Sequence, residues 1–310
     1  MTPKNMRAKI AAVVVTYNRL TLLKENINAL LSQSRRDFAI YVVDNHSTDG
    51  TVEYLRETCG ETAAVPLEEP GGKKRPQVKA IFLEKNEGGA GGFYQGMQQA
   101  MKDGYDALWI MDDDTLPEPD SLEKLLEAAD KLGGYEHIGY LASHVVWTDG
   151  SPCRMNGTKK TGESREGYDR ITQGSFVSLL IPADTVNLVG FPIREYFIWG
   201  DDKEYTLRIS DRKPCYFVAD SRVIHKTATN EGSSISSDDS SRIDRYFYAY
   251  RNDYVTARNR GARDLLIYHL AFVLNICRIL FKSDEKLRRI GVMQKGKKAG
   301  RILCEQKIHS

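Results

Sequence analysis

The stretch Leu108-Trp-Ile-Met-Asp-Asp-Asp-Thr-Leu-Pro-Glu-Pro119 decides the fold. An apolar run stops at three successive carboxylates, Asp112, Asp113 and Asp114. A proline-bounded turn follows, then a helix-like segment from Asp120 to Leu132. The pattern predicts a buried strand whose C-terminal end delivers acid groups to the rim of a sheet. In open α/β sheets that rim is where ligands bind. Three adjacent carboxylates repel one another unless positive charge stands among them. Hard oxygen ligands at a strand end suit Mg²⁺ or Mn²⁺, commonly shared with a phosphorylated substrate. A solvated acidic turn is the plain alternative.

Upstream, the rhythm is βαβα. Ile10 to Thr16 is a continuous apolar, β-branched run, as expected of a central parallel strand covered on both faces. It ends in Tyr17-Asn18-Arg19. Leu22 to Gln33 has helical spacing through Leu23, Ile27, Leu30 and Leu31. Phe38 to Val43 is a second strand ending in Asp44-Asn45, and a turn leads to a capped helix from Thr51 to Thr58. Glu61 to Lys79, rich in proline, glycine and basic residues, predicts an exposed loop. A third strand is expected at Ala80 to Glu84, followed by Asn86-Glu-Gly-Gly-Ala-Gly-Gly-Phe93 before a helix. There a backbone without side chains can approach a phosphate or sugar, and a helix N-terminus favours negative charge. The spacing matches neither a dinucleotide-binding fingerprint nor a P-loop.

Downstream, Ile138 to Trp147, Ser175 to Pro182 and Cys215 to Ala219 read as strands, and Gly150 to Thr172 as polar and turn-rich. Trp199-Gly-Asp-Asp-Lys-Glu-Tyr205 is a second acid-rich feature, opening a helix with Asp201, Asp202 and Glu204. Acids at a helix start can be dipole partners alone. Adjacent aspartates flanked by Trp199 and Tyr205 suggest a base at a sugar site. Glu231 to Arg242, rich in serine and aspartate, is expected to be a flexible loop. Leu265 to Phe281 is apolar but carries His269, Asn275 and Arg278, which argues against a span. The basic run from Lys282 to Arg301 follows it. Apolar helix plus basic segment predicts docking on an anionic membrane face, against the alternative of a packed helix with a solvated tail.

The 310 residues carry a net charge of +2, with 41% hydrophobic and 28% charged residues, the profile of an ordinary globular protein with no general attraction to nucleic acid. Five scattered cysteines without a CxxC pair point to a reducing cytosol and away from structural zinc or a disulfide frame. The N-terminus shows no signal-peptide pattern.

Together, Val13-Val-Val-Thr-Tyr-Asn-Arg19, Val42-Val-Asp-Asn-His-Ser-Thr-Asp-Gly50, the glycine cluster, Asp112 to Asp114 and Trp199-Gly-Asp-Asp202 resemble family 2 glycosyltransferases in order and spacing, across about residues 8 to 260. The glycine cluster, triple aspartate and Trp-x-Asp-Asp-x-Glu-Tyr run look most like the galactofuranosyltransferase branch; rhamnosyltransferases more often have Asn-Pro-Asp in place of the triple aspartate. The resemblance implies an α/β GT-A fold: a Rossmann-like, mostly parallel central sheet flanked by helices, over residues 1–240, with a helical, basic, membrane-proximal extension over 241–310. Thr16, Tyr17, Arg19, Asp44, Asn86, Gly91, Gly92, Asp112 and Asp113 would bind the donor. Asp112 and Asp114, with His225, would hold Mn²⁺ or Mg²⁺. Asp202 would be the catalytic base, with Asp201 as the alternative. Trp199, Asp201 and Tyr196 would meet the acceptor, the aromatic pair being equally readable as core packing.

The activity implied is inverting transfer of a sugar, galactofuranose from UDP-galactofuranose first, onto a hydroxyl of a lipid-linked glycan in cell-surface polysaccharide synthesis. The enzyme would sit peripherally on the cytoplasmic face of the inner membrane, as a monomer or a homo-oligomer. Rhamnose from dTDP-rhamnose and a UDP-hexopyranose are the alternative donors. The chain is shorter than the polymerising galactofuranosyltransferases, which suggests addition of one residue. A nucleotidyltransferase would carry a basic glycine-rich signature where Thr16-Tyr-Asn-Arg19 stands. A degenerate sugar-binding module is opposed by Asp112, Asp114, Asp202 and His225 occurring together.

Overall fold

The computed structural model describes residues 8–59, 68–69, 73–74 and 76–308. Most of the loop expected from Glu61 to Lys79 lies outside them. β1 (Ile10–Thr16) and β2 (Phe38–Asp44) are buried along their whole length, which is why they read as unbroken apolar runs. α1 (Leu20–Leu31) and α2 (Thr51–Cys59) follow them. A two-residue antiparallel pair, β3 (Glu68–Glu69) and β4 (Lys73–Lys74), precedes β5 (Gln77–Phe82), which starts earlier than its apolar residues suggest. α3 (Gly88–Lys102) and β6 (Ala107–Asp112) complete a parallel half-sheet in the order β5-β2-β1-β6. Alternate residues of β1 feed two cores. Ile10, Ala12 and Val14 pack with Leu23 and Ile27, whereas Ala11, Val13 and Val15 pack with Phe93 and Met97.

Beyond β6 the sheet is mixed. β7 (Thr115–Pro117) and α4 (Ser121–Lys131) lead to β8 (Leu141–Trp147), the hairpin β9 (Lys159–Arg165) and β10 (Tyr168–Gln173), and β11 (Leu179–Pro182). α5 (Ala183–Val189), α6 (Asp201–Ser210) and β12 (Cys215–His225) follow. The order continues β6-β11-β8-β12-β10-β9, with β6–β11, β11–β8 and β12–β10 antiparallel and β8–β12 parallel. Two expectations are corrected here. The turn-rich reading of residues 150–172 misses β9 and β10, because an edge strand exposed along its length has no apolar alternation to show. Glu166 and Gly167, both at positive φ, make the hairpin turn. The final strand does not stop at Ala219. It runs on to His225 through a register shift between Val218 and Arg222, where the polar residues interrupt the pattern.

The chain divides into two compact units, residues 1–195 with 205–230, and residues 196–204 with 231–310. The first contains the large sheet. The second is helical: α7 (Tyr246–Arg260), α8 (Ala262–Lys282) and α9 (Lys286–Ile308), packed around Tyr250, Tyr268, Phe272, Ile279 and Met293. The segment expected as a flexible loop from Glu231 is anchored in this core. Ile235 is buried, and its carbonyl accepts from Arg289 at 2.7 Å. One isoleucine among polar residues outweighs the composition around it.

Candidate active site

β1 has β2 on one side and β6 on the other, so the chain's direction of travel across the sheet reverses between β1 and β6. Ligands bind outside the strand ends at such a switch point. The paired ends deliver Thr16 and Asp112, with Val15 opposite Asp112 in register. Thr16 Oγ1 donates to Asp113 Oδ2 at 2.7 Å, and Arg19 Nη1 donates to Asp113 Oδ1 at 3.3 Å and to Asp114 Oδ2 at 2.6 Å. Asp113 is thus turned toward β1.

Asp112, Asp114 and His225 each point a ligand atom into one place, all within 4.8 Å of one another. His225 reaches it through tertiary pairing. β7 continues directly from the aspartates and runs antiparallel to β12, with His225 opposite Thr115. The Lys226 amide donates to the Asp114 carbonyl at 2.8 Å. Nε2 of His225 stands 3.0 Å from Asp114 Oδ1 as an ion-pair contact. That oxygen is buried and accepts no hydrogen bond.

The electrostatics favour a cation. Burial, then repulsion from Asp114, pushes Asp112 up to about 7. Burial pushes Asp113 up to about 6, with Arg19 holding it back. Burial also works against charge on Asp114, but His225 and Arg19 outweigh it and keep that carboxyl below its ordinary value. Burial disfavours the His225 imidazolium, yet Asp114, Cys153 and Asp112 push it up to about 10. A buried carboxylate, a second one reluctant to ionise and one imidazole fit a divalent ion with mixed oxygen and nitrogen ligation.

The neighbouring loops are laced together. Asn18 Oδ1 accepts from the Thr48 amide at 2.7 Å, Ser47 Oγ accepts from the Asn18 amide at 2.8 Å, and Asp49 accepts from the Leu20 amide at 3.0 Å. Asp44 is buried at the end of β2 and accepts from the Ser47 amide, while Tyr17 is exposed. Asn86 Oδ1 accepts from the Gly88 amide at 2.8 Å and shapes the start of α3. Asn45, which sequence reasoning did not single out, accepts from the Glu87 amide and donates to the Gly88 carbonyl. Gly91 and Gly92 lie in the first two turns of α3. A Cβ on Gly92 would stand 2.5 Å from Val15 Cγ1, and one on Gly91 2.4 Å from Glu87 Cβ. Close helix–strand packing is therefore a sufficient reason for Gly92.

In the second unit, Asp201 is buried and Asp202 part-exposed at the start of α6. Trp199 is part-exposed, its ring edge-on to Tyr246 at 5.0 Å. Tyr196 corrects an expectation. It is fully buried, with its hydroxyl 2.9 Å from Thr256 Oγ1, so its ring packs the core and cannot stack on a sugar. Phe197 and Trp199 have φ of 64° and 65°, followed by Gly200 at 82°. Such backbone costs an aromatic residue roughly 1–3 kcal/mol. Two further asparagines escaped the sequence reading of the site: Asn156, whose Oδ1 is 2.7 Å from His225 Nδ1, and Asn252, which donates to the carbonyls of Tyr196, Ile198 and Trp199.

The profile described as Glycosyl transferase family 2 matches residues 11–139. Galactofuranosyltransferase GlfT1 of Mycolicibacterium smegmatis is 28% identical over 280 residues, covering 83% of this chain and 85% of that protein. A mannosyltransferase from Pyrobaculum calidifontis, solved with GDP-Man and Mn²⁺, superposes with a TM-score of 0.57 at 14% identity, covering 100% of this chain and 82% of that one. S. aureus TarS 1-349, solved with UDP-GlcNAc, gives a TM-score of 0.54 at 17% identity, covering 92% of this chain and 70% of that one. The chain spans 43% of the longer S. aureus TarS structure.

Proposed function

The chain is a glycosyltransferase with a family 2 domain and the GT-A fold, and on that premise we propose that it transfers galactofuranose from UDP-galactofuranose to a hydroxyl of a lipid-linked glycan. The observation that carries a metal-assisted reading is the convergence of Asp112, Asp114 and His225 at the β1–β6 switch point. The likeness to GlfT1 over most of both chains supports the donor sugar.

Asp112, Asp114 and His225 would hold Mn²⁺ or Mg²⁺. A divalent cation there supplies charge neutralisation for the diphosphate as the glycosidic bond breaks. Arg19, paired to Asp113 and Asp114 and half exposed, presents a guanidinium to the same phosphates. Thr16 holds Asp113 in place through its hydroxyl. Asp44 meets the base of the nucleotide. Asp202 takes the acceptor proton as its oxygen attacks, and a single in-line displacement inverts the anomeric centre. The part-exposure of Asp202, against the burial of Asp201, supports Asp202 for this role.

The second unit supports a peripheral position on an anionic membrane. α8 has 21 residues, and an 18-residue stretch of it has a mean hydropathy of 1.7, enough by length and composition to cross a bilayer. One face nevertheless packs on its own unit through Tyr268, Phe272 and Ile279, and Tyr268 donates to the Tyr250 carbonyl at 3.1 Å. Spanning would strip those contacts. The opposite face exposes Leu266, Ile267, Leu270, Val273, Leu274, Leu280 and Phe281 in one helical stripe, with Arg263, Arg278 and Lys282 at its ends. A helix of that pattern lies in the interface.

Calorimetry with Mn²⁺ and UDP, dTDP or GDP, followed by transfer assays, tests the reading. Metal-dependent UDP binding lost in Asp114→Ala is expected, as is an Asp202→Asn variant that binds donor and no longer transfers. Preference for dTDP would move the donor to dTDP-rhamnose.

A further inference from the structure

Asn252 is completely buried on α7, and its side-chain amide donates to three carbonyls of one short loop: Tyr196 at 2.9 Å, Ile198 at 3.1 Å and Trp199 at 2.7 Å. An NH₂ group has two hydrogens, so these acceptors share them. The amide cannot turn over. Arg251 Nε donates to Asn252 Oδ1 at 2.9 Å, and Arg251 Nη2 donates to the Tyr196 carbonyl at 2.8 Å. One turn further along α7, Thr256 meets the Tyr196 hydroxyl at 2.9 Å. The Phe197 ring stacks on Tyr248 at 4.9 Å.

This loop needs holding. Phe197, Trp199 and Gly200 all have left-handed backbone, and only the last is a glycine. An aromatic residue adopts that conformation when its surroundings impose it. The carbonyls that the strained path turns inward are those that Asn252 receives. Immediately after Gly200 the chain enters α6 with Asp201 and Asp202, and the Glu204 amide closes that first turn on the Gly200 carbonyl at 2.9 Å. The direction in which the loop leaves Gly200 therefore sets where the Asp202 carboxylate stands. Arg251 and Asn252, which take no part in donor or metal binding, gain a role here.

We infer that Asn252, oriented by Arg251, is a positioning residue for the acceptor-activating carboxylate: it holds Tyr196–Gly200 in its left-handed path and so fixes Asp202 for proton abstraction. The inference rests on Asp202 being the base. Shortening Asn252 to alanine takes its donor from the Ile198 and Trp199 carbonyls, leaves the Tyr196 carbonyl to Arg251, and lets Phe197 and Trp199 relax. A carboxylate displaced by about 1 Å loses on the order of 100-fold in rate.

The test compares Asn252→Ala, Asp202→Asn and the double variant in the full chain, reading kcat, acceptor KM and Mn²⁺-dependent UDP affinity. Asn252→Ala is expected to lower kcat by about 100-fold with UDP affinity unchanged, and to add little to the residual rate of Asp202→Asn, since both act through one carboxylate. Undiminished kcat in Asn252→Ala, or losses that multiply in the double variant, would overturn the inference. Full activity in Asp202→Asn would instead remove the base assignment itself. Should Asn252→Ala not fold, Arg251→Lys carries the same test. It leaves Asn252 in place and removes the Nε contact that orients it, and unchanged kcat there would count against the clamp.

Discussion

Nδ1 of His225 donates to Oδ1 of Asn156 at 2.7 Å, and this contact decides which ring nitrogen faces the carboxylates. Asn156 donates through Nδ2 to Ser175 Oγ at 2.7 Å, so its oxygen is turned toward the histidine. An amide oxygen only accepts, and Nδ1 must therefore carry the proton. Nε2 is left to Asp114 and, on our reading, to a metal ion. Outer partners of this kind orient ligating histidines, and losing one costs about 10–100-fold in metal affinity. Asn156→Ala is expected to weaken Mn²⁺ binding by that factor in calorimetry. Unchanged affinity would show that His225 is no ligand.

The same site sets a pH dependence. Without metal, His225 keeps its proton up to about 10 and Asp112 up to about 7. Ligation needs the imidazole neutral and the carboxylate charged, so both protons oppose binding. Mn²⁺ affinity should rise with pH, with about one proton released per ion at pH 8 and closer to two below pH 7. Calorimetry in buffers of different ionisation enthalpy counts them. In His225→Gln the release at pH 8 should vanish and affinity should fall.

Gly92 and Gly96 let α3 lie close on the sheet. A Cβ at Gly96 would stand 2.5 Å from Val13 Cγ1 and 2.7 Å from Val43 Cγ2. Alanine gains up to about 1 kcal/mol in helix propensity. Overpacking against strands that cannot retreat costs about 1–3 kcal/mol. Both alanine variants should therefore unfold at lower urea, and Val15→Ala should restore part of the loss in Gly92→Ala. A Gly92→Ala protein of full stability that binds UDP poorly would point to a direct donor contact.

Membrane docking predicts a separable defect. Replacing Leu270 and Leu274 with glutamate puts two charges in the middle of the exposed stripe of α8. Each leucine contributes roughly 1.5–3 kcal/mol when fully buried. Co-flotation with anionic vesicles should drop by at least about tenfold, while transfer to a water-soluble acceptor persists. Wild-type binding should weaken as salt rises. Equal flotation of variant and wild type would rule out this face.

The parallel half of the sheet was legible because its strands are covered on both faces, so burial alone writes an unbroken apolar run. The acids after β6 were legible because chemistry is concentrated there in consecutive residues. The hairpin β9–β10 was not, since an exposed edge strand owes its shape to hydrogen bonds with a neighbour and leaves no apolar pattern. The same holds for Ile235, whose burial depends on helices far along the chain.

The sequence by itself determined the βαβ order, the carboxylates at the end of β6 and the apolar α8, because each follows from residues adjacent in the chain. Only the tertiary structure decided that His225 stands over Asp114, through the pairing of β7 with β12, and that Asn156 selects its tautomer. Only the tertiary structure turned Tyr196 from a sugar platform into core and set Asn252 beneath the loop before Asp202. Those relationships depend on strand register and helix packing between distant segments, where a single buried hydrogen-bond partner decides a side chain's role.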